Sequence, residues 1–292
     1  MDHLGNVLSQ ILVTGATGFL GGQILDMLKN KGVNALGVGR SKQCDVVCDL
    51  LDRKATEAML AQHPAIRIIH CAAAVPKSNS AYFDEKAADE SVEMVRNLAH
   101  TGGARHIIFT SSMTVYPEGT ILAQEADAAP IGYGYAAAKL KAEQILLECP
   151  EVSATILRLP GLFGLPRRGG VLFNTALALA RGETPILEEH LPQWAAMHVE
   201  DAAEICIRAA SSSPRHSMVM NAGYPERMAI SDAVTQLASL FGRELTVPPP
   251  KWFSFDLSRL HEFLGPVRGE LSVRLRDLAN WVRIEICNGR YA

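Results

Sequence analysis

The chain has 292 residues, 48% of them hydrophobic, and its 28 Lys and Arg against 31 Asp and Glu leave a formal charge of -3. That length supports one large or two smaller domains around a substantial core, and charges spread without a long run of one sign exclude a broad nucleic-acid or membrane surface. The expected partner is a small molecule. The opening MDHLGNVLSQ lacks a basic stretch followed by an apolar core, and uncharged runs such as GGVLFNTALALA fall short of the roughly 18 apolar residues of a membrane span, so the expected setting is cytoplasmic.

The first element is an apolar strand, Ile11-Leu12-Val13, which runs into TGATGFLG, three glycines three residues apart, and then a helix. Each Gly inside an element costs roughly 0.5–1 kcal/mol relative to Ala, so the run asks for a compensating use. A strand, a tight turn and a helix whose first amides face an anion supply one. Gly15 makes the turn, Gly18 lets a pyrophosphate approach the backbone and Gly21 lets the helix pack on its strand, with Thr17, Phe19 and Leu20 completing the expected cofactor contacts.

The second strand, NALGVG at 34 to 39, ends in Gly39-Arg40-Ser41-Lys42, where NAD sites usually carry an acidic residue for the ribose 2′-hydroxyl. Arg40 suits a 2′-phosphate instead, through a bidentate, charge-assisted pair, so NADP is favoured and NAD remains possible. Asp49 and Leu50 are placed to meet the adenine. A helix, DRKATEAMLAQH, leads to the strand IRIIHCAA at 66 to 73, whose end (Cys71, Ala72, Ala73) is small enough for a cofactor to approach closely.

The helix DEKAADESVEMVRNLAHTG, the strand HIIFTSS at 106 to 112, the helix YAAAKLKAEQILLE and the strand ATILRLP at 154 to 160 complete an alternation that means βαβ units. Glycines 32, 102 and 103 stop two of the helices. The expected fold is α/β, a doubly wound parallel sheet of Rossmann type. Beyond about residue 161, PGLFGLPRRGG, GETP, NAGYP and VPPP interrupt short helices such as SDAVTQLASLFG and the last amphipathic segment, GELSVRLRDLANWVR. Residues 1–160 are therefore expected to form the dinucleotide-binding domain, and 161–292 a smaller C-terminal substrate-binding region that partly returns to the sheet around MVMNAG.

Two groups of side chains carry chemistry. Tyr135 and Lys139, four apart in YAAAK, share a helix face. A phenol titrates near pH ~10, so a Tyr that exchanges protons near neutrality needs a neighbouring cation, which Lys139 can be. Tyr133, six residues from Lys139, matches less well. Ser112 ends an apolar strand, at the edge where doubly wound sheets bind ligands, and is placed to hydrogen-bond a reacting oxygen. The six cysteines (44, 48, 71, 149, 206 and 287) form no CxxC and no Cys and His cluster by spacing, so they read as reduced thiols and no metal is expected.

Taken together, TGATGFLG, IIHCAA, FTSSMTVYP, YAAAK with AE after it, ILRLPGLFG and MHVEDAAE resemble, in order and spacing over nearly the full chain, the extended short-chain dehydrogenase/reductase family, in particular its NAD-dependent epimerase/dehydratase group. The resemblance implies Ser112, Tyr135 and Lys139 as catalytic residues, Thr114 as an auxiliary substrate contact, Tyr135, Lys139 and Leu159 among the cofactor contacts, and a homodimer through the helices near 84 to 101 and 133 to 148. Members acting on nucleotide-sugars commonly carry an Asn where this chain has Gly161, and an Arg where it reads Gln193-Trp194-Ala195-Ala196. Arg167, Arg168 and Arg181 are the candidates to replace that charge, and Trp194 either stacks on a nucleobase or fills the core. Pro117 stands where a Gly usually follows the Val-Tyr pair.

Three functions follow. The first is hydride transfer that reduces or epimerises a nucleotide-activated sugar. The second is NADPH-dependent reduction of a small non-nucleotide ketone or aldehyde by the same three residues. The third is an NADP-binding regulator without turnover, which would not need Ser112, Tyr135 and Lys139 all present.

Overall fold

The computed structural model describes residues 10–63, 65–75, 80–129, 132–187, 193–212, 214 and 216–291, so most of the opening MDHLGNVLSQ lies outside the described residues. The first half alternates β1 (Ile11–Thr14), α1 (Phe19–Asn30), β2 (Ala35–Gly39), β3 (Val46–Val47), α2 (Arg53–Gln62), β4 (Ala65–His70), α3 (Glu85–Ala99), β5 (Ala104–Ser112), β6 (Leu122–Ala123), α4 (Gly134–Glu148) and β7 (Ser153–Leu159). Then follow β8 (Gly161–Phe163), α5 (Val171–Ala180), β9 (Ala196–His198), α6 (Val199–Ser211), β10 (Met218–Asn221), α7 (Ile230–Leu240), β11 (Ser254–Phe255), α8 (Ser258–Leu264) and α9 (Leu271–Cys287).

Seven strands form one parallel sheet in the order β10-β7-β5-β4-β1-β2-β3. The period of two along each strand divides the core between its faces. Ile11, Val13, Ile69, Ile108 and Leu157 pack with Ile24 and Leu28 of α1 and Ala202, Ala203 and Cys206 of α6. On the other face Leu12, Ile68, Ile107, Phe109 and Ile156 meet Met59 and Leu60 of α2, Val95 and Leu98 of α3, and Ala142 and Leu146 of α4. Both faces are covered, which is why these strands read as nearly continuous apolar runs.

The chain order reverses between β1 and β4, and there a doubly wound sheet opens a crevice beyond the carboxyl ends of its strands. Thr14, His70, Ser112 and Leu159 end β1, β4, β5 and β7 at that edge. Past residue 160, β10 adds to the far side of the sheet, while β8 and β9 pair apart from it and α5, α7 and α9 pack together. Among the described residues no helix is long and apolar enough to cross a membrane.

Candidate active site

The glycine turn follows directly from its sequence. Gly15 takes a φ of 66°, and a Cβ there would meet the Ala72 amide nitrogen at 2.8 Å, so the turn lies flush against the end of β4. A Cβ on Gly21 would meet the Gly15 carbonyl at 2.3 Å, which is the close helix-to-strand packing that a side chain forbids. Gly18 caps α1 without any side-chain bond to the helix, and Gly18, Phe19, Leu20 and Gly21 line the crevice. An uncapped helix start behind a glycine-rich turn fits the pyrophosphate of a dinucleotide.

The crevice is a single cleft of about 1410 Å³, and every residue expected to touch a cofactor lines it: Gly15, Thr17, Gly18, Phe19, Leu20 and Gly21 from the turn, Arg40, Asp49 and Leu50 from the segments after β2 and β3, Cys71, Ala72 and Ala73 after β4, and Leu159 with Tyr135 and Lys139. Arg40 is exposed at the rim, and the nearby carboxylate of Asp45 is held by Lys29 at 2.9 Å and by the Gly37 amide at 2.8 Å. Asp49 accepts from the Leu51 amide at 3.1 Å, which fixes the turn below the rim.

Ser112, Tyr135 and Lys139 all line the cleft. Ser112 ends β5, where its hydroxyl accepts from the Thr114 amide at 3.2 Å and from the Thr114 hydroxyl at 3.0 Å. Thr114 thus orients Ser112. Tyr82, from the segment before α3, lies edge-on to Tyr135 at 5.7 Å between ring centres. Burial pushes the Tyr135 phenol up to about 12, Tyr82 adds to that, and a hydrogen bond with Ser112 draws it back. Tyr133 is exposed and packs on Phe83 at 5.8 Å, outside the cleft.

The Lys139 ammonium donates to the Thr110 carbonyl at 2.7 Å and sits 4.7 Å from the Phe109 ring centre and 5.6 Å from the Tyr135 ring centre. Burial lowers Lys139 to about 8, with Cys71 and Glu143 opposing. Beneath it His70 is buried, its Nδ1 2.7 Å from the Thr14 hydroxyl, and burial followed by the Lys139 charge lowers it to about 3. This arrangement supplies a neutral phenol ready to donate a proton.

One turn beyond Lys139, Glu143 anchors a buried polar network. The Arg158 guanidinium donates through Nη2 to Glu143 at 2.6 Å, and through Nη1 to the Tyr116 hydroxyl at 3.0 Å and the Glu125 carbonyl at 2.7 Å. Ser111 donates to Glu143, and Tyr116 donates to the Asn221 side-chain carbonyl. Asn221 in turn accepts no charge but donates to the Ala123 carbonyl at 2.9 Å and, from its amide, to Glu125 at 3.0 Å.

The opposite wall comes from Pro117, Glu118, Gly161, Leu162, Arg167, Gln193, Trp194 and Phe253. A Cβ on Gly161 would lie 1.9 Å from the Trp194 indole nitrogen, so the space of the family's usual Asn is filled by Trp194. Trp194 also packs against Ile230 and Val234. Gln193 donates to the Thr120 carbonyl at 2.6 Å and the Trp252 carbonyl at 2.7 Å, and accepts from the Gly119 amide at 2.8 Å. It ties three loops together. Of the three candidate arginines, only Arg167 lines the cleft, 5.9 Å from the Phe19 ring centre. Arg168 lies against Trp281 and Tyr291, and Arg181 donates to the Tyr291 carbonyl at 2.8 Å, so aromatic and carbonyl partners near the end of α9 hold both elsewhere. Tyr82 and Phe253 were not anticipated; each reaches the site from a segment that carries no motif.

A parallel doubly wound sheet with a Gly-rich first turn and a Tyr, Lys and Ser set at its switch point defines a dinucleotide-dependent short-chain dehydrogenase type of enzyme. The profile of the NAD dependent epimerase/dehydratase family matches residues 11–223, and the chain belongs to that family. It is 30% identical over 210 residues to methionine adenosyltransferase 2 subunit beta of Danio rerio, covering 70% of this chain and 64% of that one, so it spans somewhat under two thirds of that subunit's length. It is 26% identical over 302 residues to the 3-diazoavenalumate denitrifying reductase of a Streptomyces species, covering 93% of this chain and 95% of that one. The solved structure of MoeE5 in complex with UDP-glucose and NAD shares the fold, with a TM-score of 0.80 at 24% identity over 95% of this chain and 99% of that one.

Proposed function

We propose that this enzyme reduces or epimerises a nucleotide-activated sugar with a nicotinamide dinucleotide, NADP before NAD. The observation that carries this is that Ser112, Tyr135 and Lys139 line, with the glycine turn, one cleft of about 1410 Å³, larger than the ~300–1,000 Å³ of a site for one drug-sized ligand. That volume suits a dinucleotide and a second ligand together. A structure of the same fold with UDP-glucose and NAD both bound supports the reading.

In this reading residues 1–160 hold the dinucleotide and 161–292 the rest of the substrate. The Gly15–Gly21 turn and the start of α1 take the pyrophosphate, Arg40 takes the 2′-phosphate, Asp49 and Leu50 face the adenine, and Cys71, Ala72, Ala73 and Leu159 border the nicotinamide. The bound dinucleotide supplies or accepts the hydride. Tyr135 gives a proton to the substrate oxygen in reduction and recovers it in oxidation, Ser112 hydrogen-bonds that oxygen, and Lys139 holds its ammonium 5.6 Å from the Tyr135 ring centre. A cytoplasmic homodimer through α3 and α4 belongs to the same proposal.

A second reading, reduction of a small non-nucleotide carbonyl, is favoured by Trp194 over Gly161 and by Arg167 being the one candidate arginine on the wall. The full-length likeness to a reductase points the same way. Against the third reading, binding without turnover, stands the assembled Tyr, Ser and Lys set. Calorimetric titration of UDP and dTDP into the NADP-loaded protein separates these. Micromolar binding that weakens in Arg167→Ala supports the activated sugar. No binding at millimolar nucleotide turns the assignment to the small-carbonyl reductase.

A further inference from the structure

At the opposite edge of the sheet, three side chains from two segments converge. His100 follows the last residue of α3, Cys149 follows the last residue of α4, and Glu151 lies two residues on, before β7. The Cys149 thiol donates to a Glu151 oxygen at 3.0 Å, and His100 Nδ1 lies 3.9 Å from the sulfur and 3.9 Å from the same oxygen. A point equidistant from three atoms so spaced is about 2.1 Å from each, against ~2.0–2.3 Å for zinc bonded to nitrogen, oxygen or sulfur. One imidazole, one thiol and one carboxylate are the donor types zinc prefers.

The surroundings also suit a cation. His100 and Cys149 are the C-terminal caps of α3 and α4, so the carbonyl ends of two helices converge on the cluster, and their dipoles favour positive charge there. His100 and Glu151 side chains are 43% and 55% exposed, which leaves an entry path and room for water as a fourth ligand, while Cys149 is buried at 6%. α4 rises ~1.5 Å per residue, so the cluster lies about 20 Å from Tyr135.

We propose that His100, Cys149 and Glu151 bind one divalent cation of the zinc class, joining the ends of α3 and α4 at a site separate from the catalytic cleft. On binding, the Cys149 S–H bond breaks, its proton leaves to solvent and the sulfur's electron pair forms the bond to the metal; nothing is oxidised or reduced. The metal closes a link between helices whose packing forms one wall under the sheet. Sequence spacing hides it, because 49 residues separate His100 from Cys149.

The test is cobalt titration of the full chain after chelator treatment. The expected result is one Co²⁺ per chain at micromolar concentration, with a thiolate-to-cobalt charge-transfer band and tetrahedral d–d absorption, both displaced by Zn²⁺, and a melting temperature raised by the metal. Cys149→Ser should abolish the charge-transfer band. His100→Ala and Glu151→Ala, at exposed positions that leave the fold intact, should each weaken binding tenfold or more, and they decide the matter if Cys149→Ser does not fold. Absence of the band in the wild-type chain, its survival in Cys149→Ser, or affinity unchanged in both alanine variants would overturn the proposal.

Discussion

The wall of the cleft around the glycine turn draws six of its residues from one seven-residue stretch, Gly15 to Gly21, whereas the opposite wall draws Pro117, Gly161, Arg167, Gln193, Trp194 and Phe253 from segments far apart in the chain. The first wall presents backbone, shaped by where side chains are missing. The second presents side chains, each placed by contacts that no local pattern encodes. A backbone wall can hold a phosphate with amides, and a wall of converging side chains can change its ligand by single substitutions.

The largest expected effect lies between the two walls. Tyr135→Phe should lower turnover ~10²–10⁴-fold, the range for a positioned proton donor, with dinucleotide affinity nearly unchanged. Full turnover in that variant, measured on the substrate found by titration, would dissolve the common centre on which the comparison depends. On the first wall, Arg40→Asp should shift the ratio of NADPH to NADH affinity by ~10–100-fold, the value of one charge-assisted pair at ~1.5–3 kcal/mol. Fluorescence titration of both cofactors checks it, and equal binding before and after removes Arg40 from the site.

On the second wall, Gly161→Ala puts a Cβ against the Trp194 indole. Substrate KM should rise roughly tenfold, the scale of ~1.4 kcal/mol, while dinucleotide affinity stays put. Loss of dinucleotide binding in the same variant would mean that the walls are not independent. The smallest effect is one of pH. Lys139, lowered to about 8, carries its charge below that value and loses it above, whereas Tyr135 at about 12 stays protonated throughout. For reduction, kcat/KM should therefore be nearly level from about pH 6 to 7, reach half near pH 8 and go on falling, and Lys139→Arg should move that limb to higher pH. A limb unmoved by the arginine would assign it to another group.

How far the sequence was legible follows the same contrast. The alternation of Ile11, Leu12 and Val13 with α1, and of Ile107 to Phe109 with α4, announces the sheet because both faces of each strand are covered. The glycine turn and the Tyr135 and Lys139 spacing are local, and local spacing survives folding. That Arg168 and Arg181 are held away from the cleft was not legible, since the nearby Trp281 and Tyr291 come from the last helix and its end. Nor was the engagement of Lys139 by the Thr110 carbonyl, a contact between α4 and β5. Gln193 and Trp194 showed in sequence only as a departure; their use, tying three loops and filling the space above Gly161, appears once Thr120 and Trp252 stand beside them.

The pair of Glu143 and Arg158 has a consequence for motion. Arg158 on β7 reaches α4 through Glu143, the loop before α4 through the Glu125 carbonyl, and β10 through Tyr116 and Asn221. A clamshell opening that swung β7, with the β10 strand paired to it, away from α4 would strip a guanidinium whose side chain is 4% exposed from a carboxylate that is 1% exposed. Separating such a buried pair costs ~3–5 kcal/mol, which makes the open form roughly a hundredfold or more rarer than it would be without the network. The sheet and its flanking helices thus behave as a single rigid block about the cleft. Admission and release of ligands fall to the rim, where Arg40, Glu118 and the loops held by Gln193 can yield one at a time.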